Sequence, residues 1–149
     1  MPIRPYRNED WPQVRAIYDL SKPDELRGVV EPGAILSLEA DPKMLALFRD
    51  SQIIVMVEDD RVAGFAGSRD FFITWLFVHP SCRRRGVATA LIGEMLGRLA
   101  GPVTLNVATS NAAACALYQR MGFTVEREFT GQFQGTLCKV ARLRHDTAA

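Results

Sequence analysis

The stretch Leu76-Phe77-Val78-His79-Pro80-Ser81-Cys82-Arg83-Arg84-Arg85-Gly86-Val87-Ala88 decides how this chain is read. It joins a continuous apolar run, Phe71 to Val78, to a segment in which Val87, Ala88, Leu91, Ile92, Met95, Leu96 and Leu99 recur at helical spacing. An unbroken apolar run is the pattern of a strand buried on both faces. The second pattern predicts an amphipathic helix over residues 84–100. The first turn of a helix exposes unpaired N–H groups and the positive end of the dipole, so the junction is an anion site. Gly86 and Ala88 have almost no side chain, which lets a diphosphate approach the backbone. Arg83, Arg84 and Arg85 sharpen the point. A cation at a helix N-terminus costs about 0.3–1 kcal/mol, and three together ask for a compensating anion. The loop has neither GxxxxGK[ST] nor GxGxxG, which separates it from Walker and dinucleotide loops.

Val103 to Ala108 is a second strand. A strand-helix-strand unit over residues 71–108 requires a parallel pair with a right-handed crossover. Upstream, residues 52–57 and 62–68 read as a hairpin around Glu58-Asp59-Asp60-Arg61. Downstream, Phe123 to Phe129 and Thr136 to Leu143 form a closing hairpin around Gly131 and Gly135. Ser110 or Asn111 caps a helix reaching Met121, with Gly122 as its stop. The chain begins with an extended segment, residues 3–6, and a helix capped by Asn8 or Asp10. That helix carries Trp11, Val14, Ile17 and Tyr18 on one face and is expected to end at Lys22-Pro23. Residues 28–41 are irregular and acidic, and Pro42 opens a short helix to Phe48. The order βααβββαβαββ implies an α/β chain of the α+β type with a mixed sheet.

The length of 149 residues suits one domain, expected over residues 1–144 with a tail at 145–149. Lys plus Arg total 18 against 17 Asp plus Glu, a formal net charge of +1. That balance argues against a general nucleic-acid or membrane-surface binder and leaves room for one local basic patch. Cys82, Cys115 and Cys138 are odd in number and dispersed, so neither a disulfide framework nor a zinc site is expected. Reduced thiols fit a cytoplasmic location. The N-terminus has no apolar signal-peptide core. Residues 99–119 are uncharged, yet Gly101-Pro102 and the Asn, Ser and Thr residues make them a poor membrane span.

Two blocks of residues carry a resemblance. The first is Arg83-x-x-Gly86-x-Ala88 after the strand ending at Val78. The second is Asn106-Val107, then Asn111-x6-Tyr118 and Met121-Gly122-Phe123. Together, in this order, they resemble the GNAT superfamily of acyl-CoA-dependent N-acyltransferases, over about 55 residues from Phe71 to Val125. The resemblance implies a mostly antiparallel sheet of about seven strands with a splayed parallel central pair, flanked by about four helices. It implies acetyl-CoA as acyl donor. Arg83, Arg84, Arg85, Gly86, Val87, Ala88 and Thr89 would hold the pyrophosphate, and the main chain of Leu76, Phe77 and Val78 would pair with the pantetheine arm. The N–H of Val78 would face the developing oxyanion. Asn111 and Tyr118, seven positions apart, return to nearly the same helix face. Tyr118 would protonate the departing thiolate. A free phenol near pKa 10 and a thiol near 8.5 make full transfer uphill by roughly 2 kcal/mol, part of which transition-state hydrogen bonding removes. A homodimer through the last strands or the sheet edge would also follow the family.

One departure concerns the proton of the amine. Many relatives place a carboxylate on or beside the strand ending at Val78. Residues 71–78 contain none, and Thr74 and Trp75 stand where acids often occur. Asp70, Glu25, Glu31, Glu39 and a water chain all remain open as the route. His79 reads as a rim residue, and Cys82 lies near the phosphates rather than the thioester. The acceptor, a small amine or amino acid or else a protein N-terminus or lysine, should lie between residues 28–40, the helix before Phe48 and the 129–135 loop. Phe71, Phe72, Trp75, Phe129 and Phe133 are either its apolar wall or core, and Glu31 or Glu39 would attract its ammonium. A reading from another class also stands: a non-catalytic acyl-CoA sensor or partner-binding module on the same fold.

Overall fold

The computed structural model describes residues 2–133 and 135–146. Its elements are β1 (Ile3–Pro5), α1 (Trp11–Glu25), α2 (Pro42–Asp50), β2 (Gln52–Glu58), β3 (Arg61–Arg69), β4 (Phe72–Val78), α3 (Val87–Arg98), β5 (Val103–Ala108), α4 (Ala112–Arg120), β6 (Thr124–Phe133) and β7 (Thr136–His145). The expected order of strands and helices is observed. Short 3-10 turns sit at Asn8–Asp10, Pro32–Ala34, Leu38–Ala40 and Pro80–Cys82.

Seven strands form one sheet in the order β1-β2-β3-β4-β5-β7-β6. Every neighbouring pair is antiparallel except β4 and β5. That parallel pair meets at a single register point, Phe72 opposite Thr104, with the Thr104 N–H donating to Phe71 O at 3.0 Å. Beyond that point β4 stays with β3, β5 follows β7 from Val103↔His145 to Ala108↔Val140, and the two strands part. Val14, Ile17, Tyr18, Phe48, Phe65 and Trp75 pack on one face of the sheet. Leu91, Ile92 and Met95 of α3 and Tyr118 of α4 pack on the other, against Ile54, Ile73, Leu105 and Leu143.

Several local details differ from expectation. The apolar run in β4 contains a bulge: Trp75 pairs with Gly67 and Ile73 with Ser68, so Thr74 is the extra residue. Ile73 and Trp75, two positions apart, therefore serve opposite faces of the sheet. Pro23 does not stop α1, because it lies in the last turn and removes one hydrogen bond; Leu26 N–H still donates to Lys22 O at 3.3 Å. Asp10 does not cap α1 through its side chain; it accepts the Arg7 N–H at 2.8 Å and a bidentate bond from Arg4 at 2.8 and 2.9 Å. His145, expected in the tail, ends β7 opposite Val103, its ring 5.1 Å from that of Phe123. The stretch 129–133, expected as part of a hairpin loop around Gly131, is the end of β6, with Gly131 opposite Cys138 in the ladder; residue 134 and residues 147–149 of the tail lie outside the described residues.

Candidate functional site

The parting of β4 and β5 opens a groove of about 1000 Å³. One wall is β4 from Ile73 to Val78, and the other is β5 with the start of α4. One end is the loop before α3, and the last turn of α1 lies over it. Gly64 helps to set this shape: a Cβ there would stand 2.8 Å from Phe77 O and 3.0 Å from Val87 Cγ1, so a larger residue would push α3 off the sheet.

The anion end is built from backbone. Gly86 is the N-cap of α3 at φ +77, with no side-chain hydrogen bond closing the helix start. A Cβ at Gly86 would meet nothing within 4 Å, so the space beside this N-cap is open, and a helix start leaves its first-turn N–H groups without intrahelical partners. Arg84, at φ +63, Val87, Ala88 and Thr89 also line this end. This open cradle fits the pyrophosphate of acetyl-CoA. The three arginines do not act together. Arg83 donates to Asp24 at 2.6 Å and lines the groove. Arg85 donates to Glu58 at the end of β2 at 2.9 Å and is not among the residues lining the groove. Carboxylates already compensate two of the three charges.

Along the strand, His79 N–H donates to Ala63 O at 2.8 Å. Backbone N–H groups alternate sides along a strand, so the Val78 N–H is directed to the open β5 edge. Val78 O on that edge accepts the Ser21 hydroxyl at 3.0 Å. Leu76, Phe77 and Val78 all line the groove.

Across the groove, Asn111 is the N-cap of α4 and accepts Ala114 N–H at 3.2 Å. Its side-chain oxygen is thereby committed to the helix start. It precedes the helix, yet it and Tyr118 still share the groove wall. Tyr118 is 7% exposed, its ring 5.5 Å from Phe123. Burial pushes its phenol well above the ordinary value, and the charge of Glu25 adds to the shift. Tyr118 thus keeps its proton throughout the neutral range.

The remaining expectations divide. Trp75 belongs to the core, with rings of Tyr18, Phe48, Phe65 and Phe77 within 5.6–6.1 Å. Phe72 lies 5.5 Å from the Arg142 guanidinium and Phe129 4.9 Å from that of Arg127. Phe71 is half exposed and packs toward Gly101. Phe133 alone of these aromatics is in contact with Lys22 of the groove, at 5.5 Å from Nζ. Asp70, Glu31 and Glu39 do not line the groove, and Glu39 pairs with Arg15 at 3.5 Å. His79 Nδ1 accepts the Ser81 N–H at 3.1 Å, a local cap at the rim. Ser21, Lys22 and Asp24 are groove residues that the sequence did not flag, because the helix carrying them was expected to end at Lys22. Among the described residues no group of three His, Cys, Asp or Glu side chains is placed to hold a metal, and no helix is long and apolar enough to cross a membrane.

Comparison with known proteins supplies a family. The model of the acetyltransferase (GNAT) family matches residues 11–123. The human cysteine-rich protein 2-binding protein is 46% identical over 56 residues, 37% of this chain and 7% of that protein. The [ribosomal protein bS18]-alanine N-acetyltransferase of Salmonella typhimurium is 35% identical over 91 residues, 54% of this chain and 62% of that one. The matches therefore span less than two thirds of these relatives' own length. The Salmonella typhimurium protein yncA, solved with its cofactor acetyl-CoA, superposes with a TM-score of 0.75 at 18% identity, covering 100% of this chain and 95% of that one. At that identity the likeness is one of fold.

Proposed function

The chain belongs to the GNAT family of acetyltransferases, and we propose that it transfers the acetyl group of acetyl-CoA to a primary amine bound in the same groove. The observation that carries this reading is the convergence of three features: the backbone cradle at Gly86, the open edge of β4 at Val78, and the buried phenol of Tyr118 on the facing helix.

Acetyl-CoA would supply an activated acyl group on a leaving thiolate. The N–H groups at the start of α3 bind the diphosphate, and Arg83 and Arg84 add charge at the mouth. Leu76, Phe77 and Val78 offer an extended edge to the pantetheine arm. The Val78 N–H faces the carbonyl oxygen as negative charge grows on it. Tyr118, held protonated by burial, donates to the departing sulfur. Asn111 anchors the start of α4 and so sets where Tyr118 stands.

The acceptor is a small amine or amino acid, or the N-terminus or lysine of a protein. Similarity to a ribosomal-protein alanine N-acetyltransferase supports a peptide N-terminus as the first class to try. The free thiols of Cys82, Cys115 and Cys138 suit a cytoplasmic setting.

Thiol release from acetyl-CoA, measured over a panel of alanine-starting peptides, lysine peptides and small amines, tests the reading. Amine-dependent release with mass gain on the acceptor is expected. Binding of acetyl-CoA with no release for any amine would instead favour the sensor or partner-binding module.

A further inference from the structure

The last turn of α1 is fastened to both halves of the groove. Ser21 Oγ donates to Val78 O at 3.0 Å, at the end of β4. Asp24 accepts from Arg83 at 2.6 Å, at the loop before α3. Asp24 is further committed to Arg27. Between these two fastenings, Lys22 and Glu25 face into the groove as an ion pair, Nζ to Oε2 at 2.9 Å. Lys22 is 9% exposed, and its Nζ stands 5.7 Å from the ring centres of Tyr18 and Phe77 and 5.5 Å from that of Phe133. Three aromatic rings are close enough for cation–π attraction to the ammonium, which in turn pairs with the carboxylate.

Only two carboxylates line the groove among the described residues, Asp24 and Glu25. Asp24 is held by two guanidinium groups, whereas Glu25 has a single cationic partner. The charge of Glu25 reaches groups on three elements: Tyr18 on α1, Tyr118 on α4 and Cys138 on β7. Glu25 and Tyr118 line the same groove.

On the reading of the protein as an acetyltransferase, we propose that Glu25 is the acceptor-side carboxylate: it draws in the substrate ammonium and takes the proton that frees the nitrogen lone pair. The acceptor class is a primary ammonium, and Lys22 is a positioning residue for Glu25. The ammonium N–H bond breaks, its electron pair stays on nitrogen, and the proton goes to a Glu25 oxygen and then to water. The lone pair forms the C–N bond to the acetyl carbon. The C–S bond breaks with its pair going to sulfur, which takes the Tyr118 proton. Nitrogen sheds a second proton, which restores Tyr118 through water. One proton is released per amide formed.

The test compares wild type, Glu25→Gln and Glu25→Asp on an alanine tripeptide amide and on N-acetyl-lysine amide from pH 6 to 10. Melting curves and acetyl-CoA titrations on the same samples show that each variant is folded and binds the donor. Glu25→Gln keeps the side-chain shape. Its kcat/KM for the amine should fall about 10- to 100-fold near pH 7, with acetyl-CoA affinity within about two-fold. The defect should shrink above the acceptor pKa, about 8 for an N-terminal amine, where the substrate arrives neutral. Glu25→Asp should recover part of the loss. Wild-type kcat/KM in Glu25→Gln, or a loss equal at every pH, would overturn the assignment to Glu25. Absence of turnover in the wild type itself would strike the acetyltransferase reading instead.

Discussion

Arg83 Nη1 donates to the Asp24 carboxylate at 2.6 Å and joins the end of α1 to the anion loop across 59 positions of sequence. The pair holds the Asp24 carboxyl below the usual carboxylate range, with Arg27 adding to the effect. Both side chains are more than a third exposed, so the bond contributes at most about 1 kcal/mol to stability. In the proposed function its larger effect is on ligand charge, because Asp24 would compete with phosphate for Arg83. Asp24→Asn should tighten acetyl-CoA binding a few-fold at low salt, and the gain should fade by about 0.5 M salt as screening shortens to a few ångström. Titration calorimetry at two salt concentrations reads this. Unchanged or weaker binding at low salt would show that Arg83 does not compensate the phosphates.

Gly86 is required for two separable reasons. At φ +77 any other residue carries a strain of about 1–2 kcal/mol. Gly86→Ala should therefore lower Tm by several degrees while leaving measurable acetyl-CoA affinity, since its Cβ would meet no protein atom within 4 Å. Gly86→Glu has the same strain and adds a carboxylate to the cradle. It should remove detectable acetyl-CoA binding from a domain that still melts cooperatively. Near-normal affinity in the glutamate variant would relocate the diphosphate.

The parts of the molecule legible in its sequence are those with local periodicity. The helical repeat from Val87, the apolar run before Val78 and the Asn111 cap each report on a few neighbouring residues, and each element appeared near its expected bounds. The bulge at Thr74 was not legible. It depends on which β3 residue stands opposite, and no alternation within β4 encodes that. The charge arithmetic at Arg83, Arg84 and Arg85 singled out the loop before α3 but overstated its free charge, because Asp24 and Glu58, the partners of Arg83 and Arg85, lie 59 and 27 positions away. Glu25 was one of four carboxylates that looked equivalent. Only the folding of α1 over the strand gap, past Pro23, separates it from Asp70, Glu31 and Glu39.

Tyr118 offers a clean division between packing and chemistry. Its ring stacks edge-on with Phe123 at 5.5 Å, and phenylalanine preserves that contact. Tyr118→Phe should fold with a Tm close to wild type and bind acetyl-CoA with similar affinity, while kcat falls about 10²-fold or more. Because burial pushes the phenol upward, the wild-type rate should show no basic limb from Tyr118 between pH 7 and 10. A kcat equal to wild type in the phenylalanine variant would remove the acid role.

Asp10 governs stability in acid rather than activity. It is 3% exposed and accepts two bonds from Arg4 and one from the Arg7 N–H. The Arg4 hydrogen bonds lower its pKa, burial works against them, and the Arg7 N–H lowers it further. A carboxyl whose folded pKa is depressed adds stability that is fully present above its unfolded value, about 3.9, and is lost as pH falls through the folded one. Asp10→Asn should therefore cost about 1.5–3 kcal/mol near pH 7, the range for hydrogen bonds to charged groups. The gap in Tm between wild type and variant should narrow steadily below about pH 4, as the wild-type carboxyl takes up its proton. Thermal melts across that window read the effect, and a gap that stays constant into strong acid would show that the variant's loss does not come from the carboxylate charge. The distinction matters for the groove because the Arg4–Asp10 pair ties β1 to the start of α1, the helix whose far end carries Ser21, Lys22 and Glu25.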